Sequence, residues 1–110
     1  MFTRSNEAGY RGTVPGVKYK TLTYGDKTLL AEFKMEKGYL LPRHSHPHEQ
    51  IGYLVSGSID MTIGDKTFAV KPGDSWCVKG GVEHQVMIHE DSIAIEVFSP
   101  VRTEYLPDAR

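Results

Sequence analysis

Three of the five histidines in the sequence lie close together, at His44, His46 and His48 in the stretch RHSHPHEQIGYLVSG. Side chains of an extended chain alternate between two faces, so His44 and His46 project to the same side. Two neutral imidazoles on one face are suitable donors for a transition metal. Taken alone, the pattern fits a metal site and a solvated histidine-rich loop equally well.

The residues after Pro47 leave the next ligand open. Proline removes a backbone donor and bends the chain, so the alternation is not guaranteed beyond it. The candidates are His48, Glu49 and Gln50. Glu49 is chemically the better donor, but simple alternation turns it away from the histidine face, whereas Gln50 shares that face.

The segments that must position these residues have the pattern of short β-strands. Residues 28–36, TLLAEFKME, alternate with the two-residue period of a strand. Six more short segments are rich in β-branched and aromatic residues and end at Gly, Pro or Asp: QIGYLVSG, SIDMTIG, KTFAV, DSWCV, QVMIH and SIAIEVF. Two Gly-Asp sequences, TYGDKT at 23–28 and TIGDKT at 62–67, predict tight hairpins. The sequence therefore predicts an all-β sandwich or barrel.

Length and composition limit the number of domains, the partners and the location that we expect. A chain of 110 residues accommodates one domain, which we divide into an N-terminal arm (1–16), a barrel (17–106) and a C-terminal tail (107–110). A net charge of −1 and the lack of a basic block argue against a nucleic-acid partner. No apolar run approaches the roughly 18 residues of a membrane span. The first residues lack the apolar stretch of a secretory signal, and Cys77 has no partner for a disulfide, so we expect a cytoplasmic protein.

The histidine stretch also carries a motif that resembles a known family. Gly38, His44, His46, Gln50 and Gly57 have the spacing of the first motif of the cupins. Gln50 stands where that motif usually has a glutamate. By this resemblance we expect a small single-domain cupin, an all-β barrel of the jelly-roll type.

A second motif near residue 84 supports the resemblance. Gly73 and His84 fall at the spacing of the second cupin motif, while Lys79 replaces its proline and Ile88 its asparagine. Neither replacement removes a metal ligand. The resemblance implies one divalent transition metal (Mn, Fe, Ni or Zn), held by His44, His46, Gln50 and His84.

A glutamine at the fourth ligand position has a consequence for the charge of the site. A glutamate cancels one unit of the cation's charge, whereas a neutral amide cancels none. Four neutral ligands therefore predict a site that favours a small anionic molecule such as a carboxylate. Glu49 or His48 in place of Gln50 is the alternative.

In the segment AIEVFSPVRTEYL, residues 94–106, two predictions compete over which face of the strand points into the barrel. Ile93, Ile95 and Val97 share one face, which for an isolated strand predicts that Glu96 on the opposite face is in solvent. The resemblance implies the reverse, since in small cupins an acid-x-Phe strand end followed by an arginine turn lines the barrel mouth.

By that resemblance Glu96 is the catalytic acid, and Phe98 and Arg102 contact the substrate. Arginine suits this role because it holds a carboxylate bidentately, and a carboxyl group moves protons. We place Tyr53 and Trp76 among the substrate-binding residues, as pocket wall. Cys77 is expected to be buried and inert, and His89 to lie on the surface.

Three classes of function remain open. The first is a metal-dependent isomerase or ring-opening enzyme on a small acidic carbohydrate, similar to cupins of pectin degradation that open the ring of unsaturated uronates. The second is an Fe- or Mn-dependent cupin dioxygenase, and the third is a non-catalytic cupin that senses a sugar or a metal. Short strands with open edges also predict a homodimer.

Overall fold

The computed structural model describes residues 1–107, so residues 108–110 of the predicted tail lie outside the described part. It contains strands β1 (Arg11–Gly12), β2 (Val17–Tyr24), β3 (Leu29–Met35), β4 (Leu40–His44), β5 (Glu49–Ile63), β6 (Lys66–Val70), β7 (Ser75–Val78) and β8 (His84–Ser99). A 3-10 turn follows at Thr103–Tyr105. The all-β prediction is confirmed, and no helix in the described residues is long and apolar enough to cross a membrane.

The strands form an antiparallel sheet in the order β1-β2-β3-β8-β5-β6, with β4 added to β8 and β7 added to β5. The long strands β5 and β8 each serve two layers. The first half of β5 pairs with the second half of β8, flanked by β3 and β7. The second half of β5 pairs with the first half of β8, flanked by β4 and β6. The two layers fold over one another and enclose the core.

The merging of predicted segments is the main departure from the sequence interpretation. QIGYLVSG and SIDMTIG form one strand, β5, and QVMIH and SIAIEVF form one strand, β8. Gly57 lies where β5 changes layer, with φ +101°, and a Cβ there would lie 2.0 Å from the Ser92 hydroxyl oxygen. The glycine that punctuates the sequence therefore permits a bend and does not end the strand.

The space between the two layers is filled mainly by apolar side chains. The fully buried ones include Leu29, Leu54, Ile59, Ile88 and Phe98. At the edge of the first layer, the N-terminal arm packs against its own sheet. Its strand β1 pairs with β2.

The other side of the first layer is unusually apolar. In the register of the strands, Ile51 lies opposite Val97, and Tyr53 lies opposite Ile95. Leu30 and Cys77 extend the first of these rows onto β3 and β7. We call this surface the outer apolar face: Leu30, Ile51, Tyr53, Val55, Cys77, Ile93, Ile95 and Val97. Cys77 is exposed there, which corrects the expectation that it is buried. The cause is the pleat of β7, which turns Trp76 inward and its neighbour outward.

Candidate metal centre and active site

Three imidazoles meet at the open end of the barrel. His44 ends β4 and His84 begins β8, and the two are direct partners in the β4–β8 register. His46 follows in the loop that leads into β5. One nitrogen from each of the three rings lies within 4.8 Å of the others. His84 is only 2% exposed and His46 is 8% exposed, so both rings are held inside the protein.

Backbone carbonyls fix the tautomers of these rings. The Nδ1 atoms of His44, His46 and His84 lie 2.8, 3.0 and 2.9 Å from the carbonyl oxygens of Pro42, His48 and Val82. A carbonyl oxygen only accepts, so each Nδ1 must carry the proton and donate it. Each Nε2 then presents a lone pair, which is the arrangement that metal-ligating histidines adopt.

For His84 and His46, no donor from the described residues reaches the lone pair. The Nε2 of His84 is buried without a hydrogen-bond partner among the described residues. The Nε2 of His46 lies 2.8 Å from the Oε1 of Gln50. That amide is oriented by Glu96, because Gln50 donates from its Nε2 to the Glu96 carboxylate. Two acceptors therefore face each other, a contact that a cation between them stabilises.

Burial keeps two of the imidazoles neutral. It lowers the pKa of His84 to about 4 and lowers the pKa of His46, with the positive charge of Arg102 as a second cause for His46. A neutral imidazole is the form that binds a metal. The donor set of three imidazoles and an amide oxygen suits a divalent transition metal better than Mg²⁺ or Ca²⁺.

The alternatives for the fourth ligand are separated by their positions. Gln50 is buried, and its amide oxygen faces the histidine cluster. Glu49 is exposed, because the alternation of β5 turns it away from the interior. His48 lies beside His46, with ring centroids 5.6 Å apart, and its Nδ1 is buried without a partner among residues 1–107.

Glu96 lies on the inner face of β8. Its carboxylate accepts hydrogen bonds from Gln50 and from the indole Nε1 of Trp76, the latter at 3.1 Å. Burial raises the pKa of the Glu96 carboxyl, while the two hydrogen bonds and the charge of Arg102 oppose that rise. The expectation from periodicity alone, with Glu96 in solvent, is wrong because the aliphatic side of β8 is the outer one.

Arg102 lies over two aromatic rings beside this carboxylate. Its guanidinium carbon is 5.1 Å from the centre of the Phe98 ring and 4.2 Å from that of Tyr105. Its Nε donates to Glu104 at 3.0 Å, and among residues 1–107 no hydrogen bond engages its terminal nitrogens, which can therefore bind another anion. The sequence interpretation missed Tyr105, since nothing in its spacing shows that the 3-10 turn folds it back over the pocket. Burial raises the pKa of Tyr105 to about 12, so it is a neutral hydrogen-bonding group.

These groups line one cavity of about 260 Å³. Its polar lining includes His44, Gln50, His84, Glu96 and Arg102, and its apolar lining includes Phe33, Ile59, Trp76, Phe98 and Tyr105. Tyr53 is not part of it, which corrects its placement among the substrate-binding residues. It is 49% exposed on the outer apolar face, one position away from the inward-facing Gly52 and Leu54.

Comparison with known proteins agrees with this geometry. Residues 31–99 match the family model described as a cupin domain. The chain is 32% identical over 93 residues to the pectin degradation protein KdgF of Dickeya dadantii (strain 3937), a match that covers 83% of this chain and 84% of that protein.

Two solved structures extend the comparison to the fold. The structure of KdgF from Halomonas sp. superposes with a TM-score of 0.89 at 27% identity, covering 96% of this chain and all of that one. An RmlC-like cupin from Shewanella frigidimarina NCIMB 400 gives the same TM-score at 24% identity, covering 96% and 95% of the two chains, and supports the fold alone. The predicted jelly-roll barrel is thereby confirmed, and the chain belongs to the cupin domain family, with KdgF proteins among its relatives.

Proposed function

We propose that this protein is a metal-dependent isomerase that opens the ring of an unsaturated uronate. The observation that carries the proposal is the Glu96 carboxylate, buried in the cavity and bonded to the same glutamine that faces the histidine cluster. The similarity to KdgF, a protein described by its role in pectin degradation, supports an acidic sugar as the substrate.

The charges of the cavity favour a substrate with a carboxylate. The described residues make no hydrogen bond with the terminal nitrogens of Arg102, and two N–H groups of a guanidinium bind a carboxylate in parallel. The guanidinium lies over the rings of Phe98 and Tyr105, which limits the conformations it must give up on binding. The groups that would hold a metal are imidazoles and an amide, which carry no negative charge, so they would leave the charge of a divalent cation uncancelled.

Ring opening is an isomerisation that needs one proton to move and no oxidant. The anomeric hydroxyl loses its proton, the ring C–O bond at the anomeric carbon breaks, and the released enolate is protonated at the alkene carbon remote from the carboxylate. Glu96 suits both transfers, because burial raises the pKa of its carboxyl and so favours both acceptance and return of a proton. A divalent metal held by His44, His46, His84 and Gln50 would supply Lewis acidity towards a substrate oxygen.

The test is turnover of an unsaturated uronate, followed by loss of its conjugated ultraviolet absorbance. Glu96→Gln should lower kcat by about 10²- to 10⁴-fold, the usual contribution of a general acid–base group, with metal content unchanged. Glu32→Gln, a carboxyl change on the outer side of β3, is the matched control. Full activity with a redox-inert metal supports the isomerase over the dioxygenase. A metal-loaded protein that binds the uronate without converting it contradicts the proposal and favours the sensing class.

We also propose that the protein is a homodimer formed through the outer apolar face. Ile51, Tyr53 and Val55 are all exposed on this face, side by side with the aliphatic residues of β8. A contiguous apolar patch of this kind marks an interaction surface. A second copy presents the same apolar patch, and a two-fold interface pairs such a patch with itself. A cytoplasmic location remains a prediction.

A further inference from the structure

We infer that Trp76 and Gly52 form a positioning pair for Glu96, in which the indole fixes one carboxylate oxygen and the glycine supplies the space for the indole. The inference depends on the proposed function where it assigns proton transfer to Glu96. It changes the role of Trp76 from a pocket wall that contacts substrate to a residue that acts through the carboxylate.

The strand register brings the three residues into one row. Gly52 on β5 lies opposite Trp76 on β7 and opposite Glu96 on β8. Adjacent strands are about 4.8 Å apart, so the backbones of the two outer residues are separated by roughly 10 Å. A side chain from β7 reaches β8 only by crossing over the inner face of β5. The indole of Trp76 makes that crossing and donates from Nε1 to the Glu96 Oε1 at 3.1 Å.

Gly52 is the position that the indole crosses. A Cβ at Gly52 would lie 2.2 Å from both Cε2 and Nε1 of Trp76, far inside van der Waals contact. The backbone of Gly52 is not in the left-handed region, so no conformational requirement accounts for a glycine here. The absence of a side chain is what lets the ring lie flat against the strand and reach the carboxylate.

Both hydrogen bonds to the carboxylate end on the same oxygen. Trp76 Nε1 and Gln50 Nε2 donate to Glu96 Oε1, while no hydrogen bond to Oε2 is made by the described residues. Two donors from different strands fix the carboxylate plane, and they leave Oε2 as the oxygen for exchange of a proton with substrate. The same arrangement holds the Gln50 amide with its oxygen towards His46.

The contact can be tested without any substrate, because Trp76 is the only tryptophan in the chain. A ¹⁵N-labelled sample therefore gives one indole N–H resonance. Glu96→Gln should shift this resonance and speed its hydrogen exchange, whereas Glu32→Gln should leave it in place. An indole resonance that does not respond to Glu96→Gln overturns the inference, whatever the protein's activity.

Kinetics test the consequence of the contact. Trp76→Phe removes the N–H and keeps an aromatic ring, and it should lower kcat by about 10- to 100-fold with KM changed less than about twofold and metal content unchanged. Ser75→Ala, the outward-facing neighbour on β7, is the control. In a Glu96→Gln background Trp76→Phe should cause no further loss, because residues that act as a unit are not additive. Equal losses in both backgrounds, or a rise in KM alone, contradict positioning through Glu96.

Gly52→Ala tests the space requirement. The added methyl group should displace the indole and reproduce the kcat loss of Trp76→Phe. Combining Gly52→Ala with Trp76→Ala should recover the thermal stability without recovering kcat, and recovery of kcat contradicts the pair. Where Gly52→Ala does not fold, Trp76→Phe and the indole resonance decide the matter. If the wild-type protein converts no uronate while the indole resonance responds to Glu96→Gln, the proposed function fails and the contact stands.

Discussion

The two faces of the β5–β8 strand pair reverse the usual pattern, because polar residues are buried on one face and apolar residues are exposed on the other. On the inner face, Gln50 and Glu96 are polar and only 5% and 8% exposed. On the outer face, Ile51 and Tyr53 are apolar and 51% and 49% exposed. Burial of a polar group costs free energy unless it is hydrogen-bonded, and the inner pair satisfies each other. The comparison shows that the barrel interior serves as a site at its open end, while part of the apolar surface lies outside.

Because of this reversed burial pattern, β5 and β8 contribute both to the proposed site and to the proposed dimer interface. Alternation places Gln50 next to Ile51 on β5, and Glu96 next to Val97 on β8, so inner and outer residues of these strands are neighbours in sequence. Substitutions at neighbouring positions should therefore have unrelated effects. Inner changes should alter metal or substrate binding, and outer changes should alter association.

The largest expected effect separates two histidines of the same strand. His84 lies in the cluster at the start of β8, whereas His89 lies on the surface, 2.9 Å from Asp60. His84→Ala should abolish binding of a stoichiometric divalent metal, because it removes one of three imidazole ligands. His89→Ala should leave the metal content unchanged. Metal analysis of proteins purified side by side measures this, and full occupancy in His84→Ala contradicts the assignment.

The outer face gives the next largest effect. Ile51→Lys combined with Tyr53→Lys should convert the proposed dimer to a monomer, since each charge buried in an apolar interface costs several kcal/mol. Met87→Lys, an exposed apolar position on the other layer, is the control and should stay dimeric. Light scattering at micromolar concentration distinguishes the states. A monomeric wild-type protein, or a dimer that tolerates both lysines, shows that this face has another role.

The sequence predicts those features that are determined by residues close together in the chain. Strand periodicity and the Gly-Asp turns are local, so β3 and the hairpins at 23–28 and 62–67 were predicted correctly. The spacing of His44, His46 and His84 identified the cluster through a family resemblance. Which side of β8 faces inward is set by the packing of the two layers and not by the local sequence. The hydrophobicity of the aliphatic residues therefore predicted the wrong side.

The placement of Tyr53 in the site and the omission of Tyr105 from it have the same origin. Tyr53 is aromatic and close to the histidines in sequence, but one residue of pleat places it on the outer face. Tyr105 reaches the cavity only because the chain turns back after β8. Which residues reach the cavity depends on how the two layers pack together, and the alternation pattern of single strands does not predict that.

A smaller effect concerns pH and the metal-free protein. The folded pKa of His84 is about 4, below its ordinary 6.5, so the unfolded state binds the proton more readily between these values. The stability that neutral His84 confers is complete above pH 6.5 and is lost as pH falls towards 4, by at most about 3 kcal/mol. Denaturant titrations across this range measure it. His84→Asn should flatten the dependence, and an unchanged slope means that another group carries it.

The smallest expected effect is at Gln50, where the inner face departs from the usual cupin glutamate. Gln50→Glu should keep or strengthen metal binding, because a carboxylate adds attraction to the cation, but it should weaken an anionic ligand. At about 8 Å and an effective dielectric near 20, one added negative charge costs an anion about 2 kcal/mol, or roughly thirtyfold in affinity.

The control for that change lies one residue away on the outer face. Glu49→Gln removes a carboxylate from an exposed position and should alter neither metal content nor anion affinity. Arg102→Ala should weaken the same anions without loss of metal, since Arg102 acts on the ligand and not on the cation. Metal analysis and calorimetric titration with a uronate measure both quantities. Anion binding that is unaffected by Gln50→Glu means that Gln50 is not beside the cation, and it leaves His48, with its buried unpartnered Nδ1 among the described residues, as the fourth ligand.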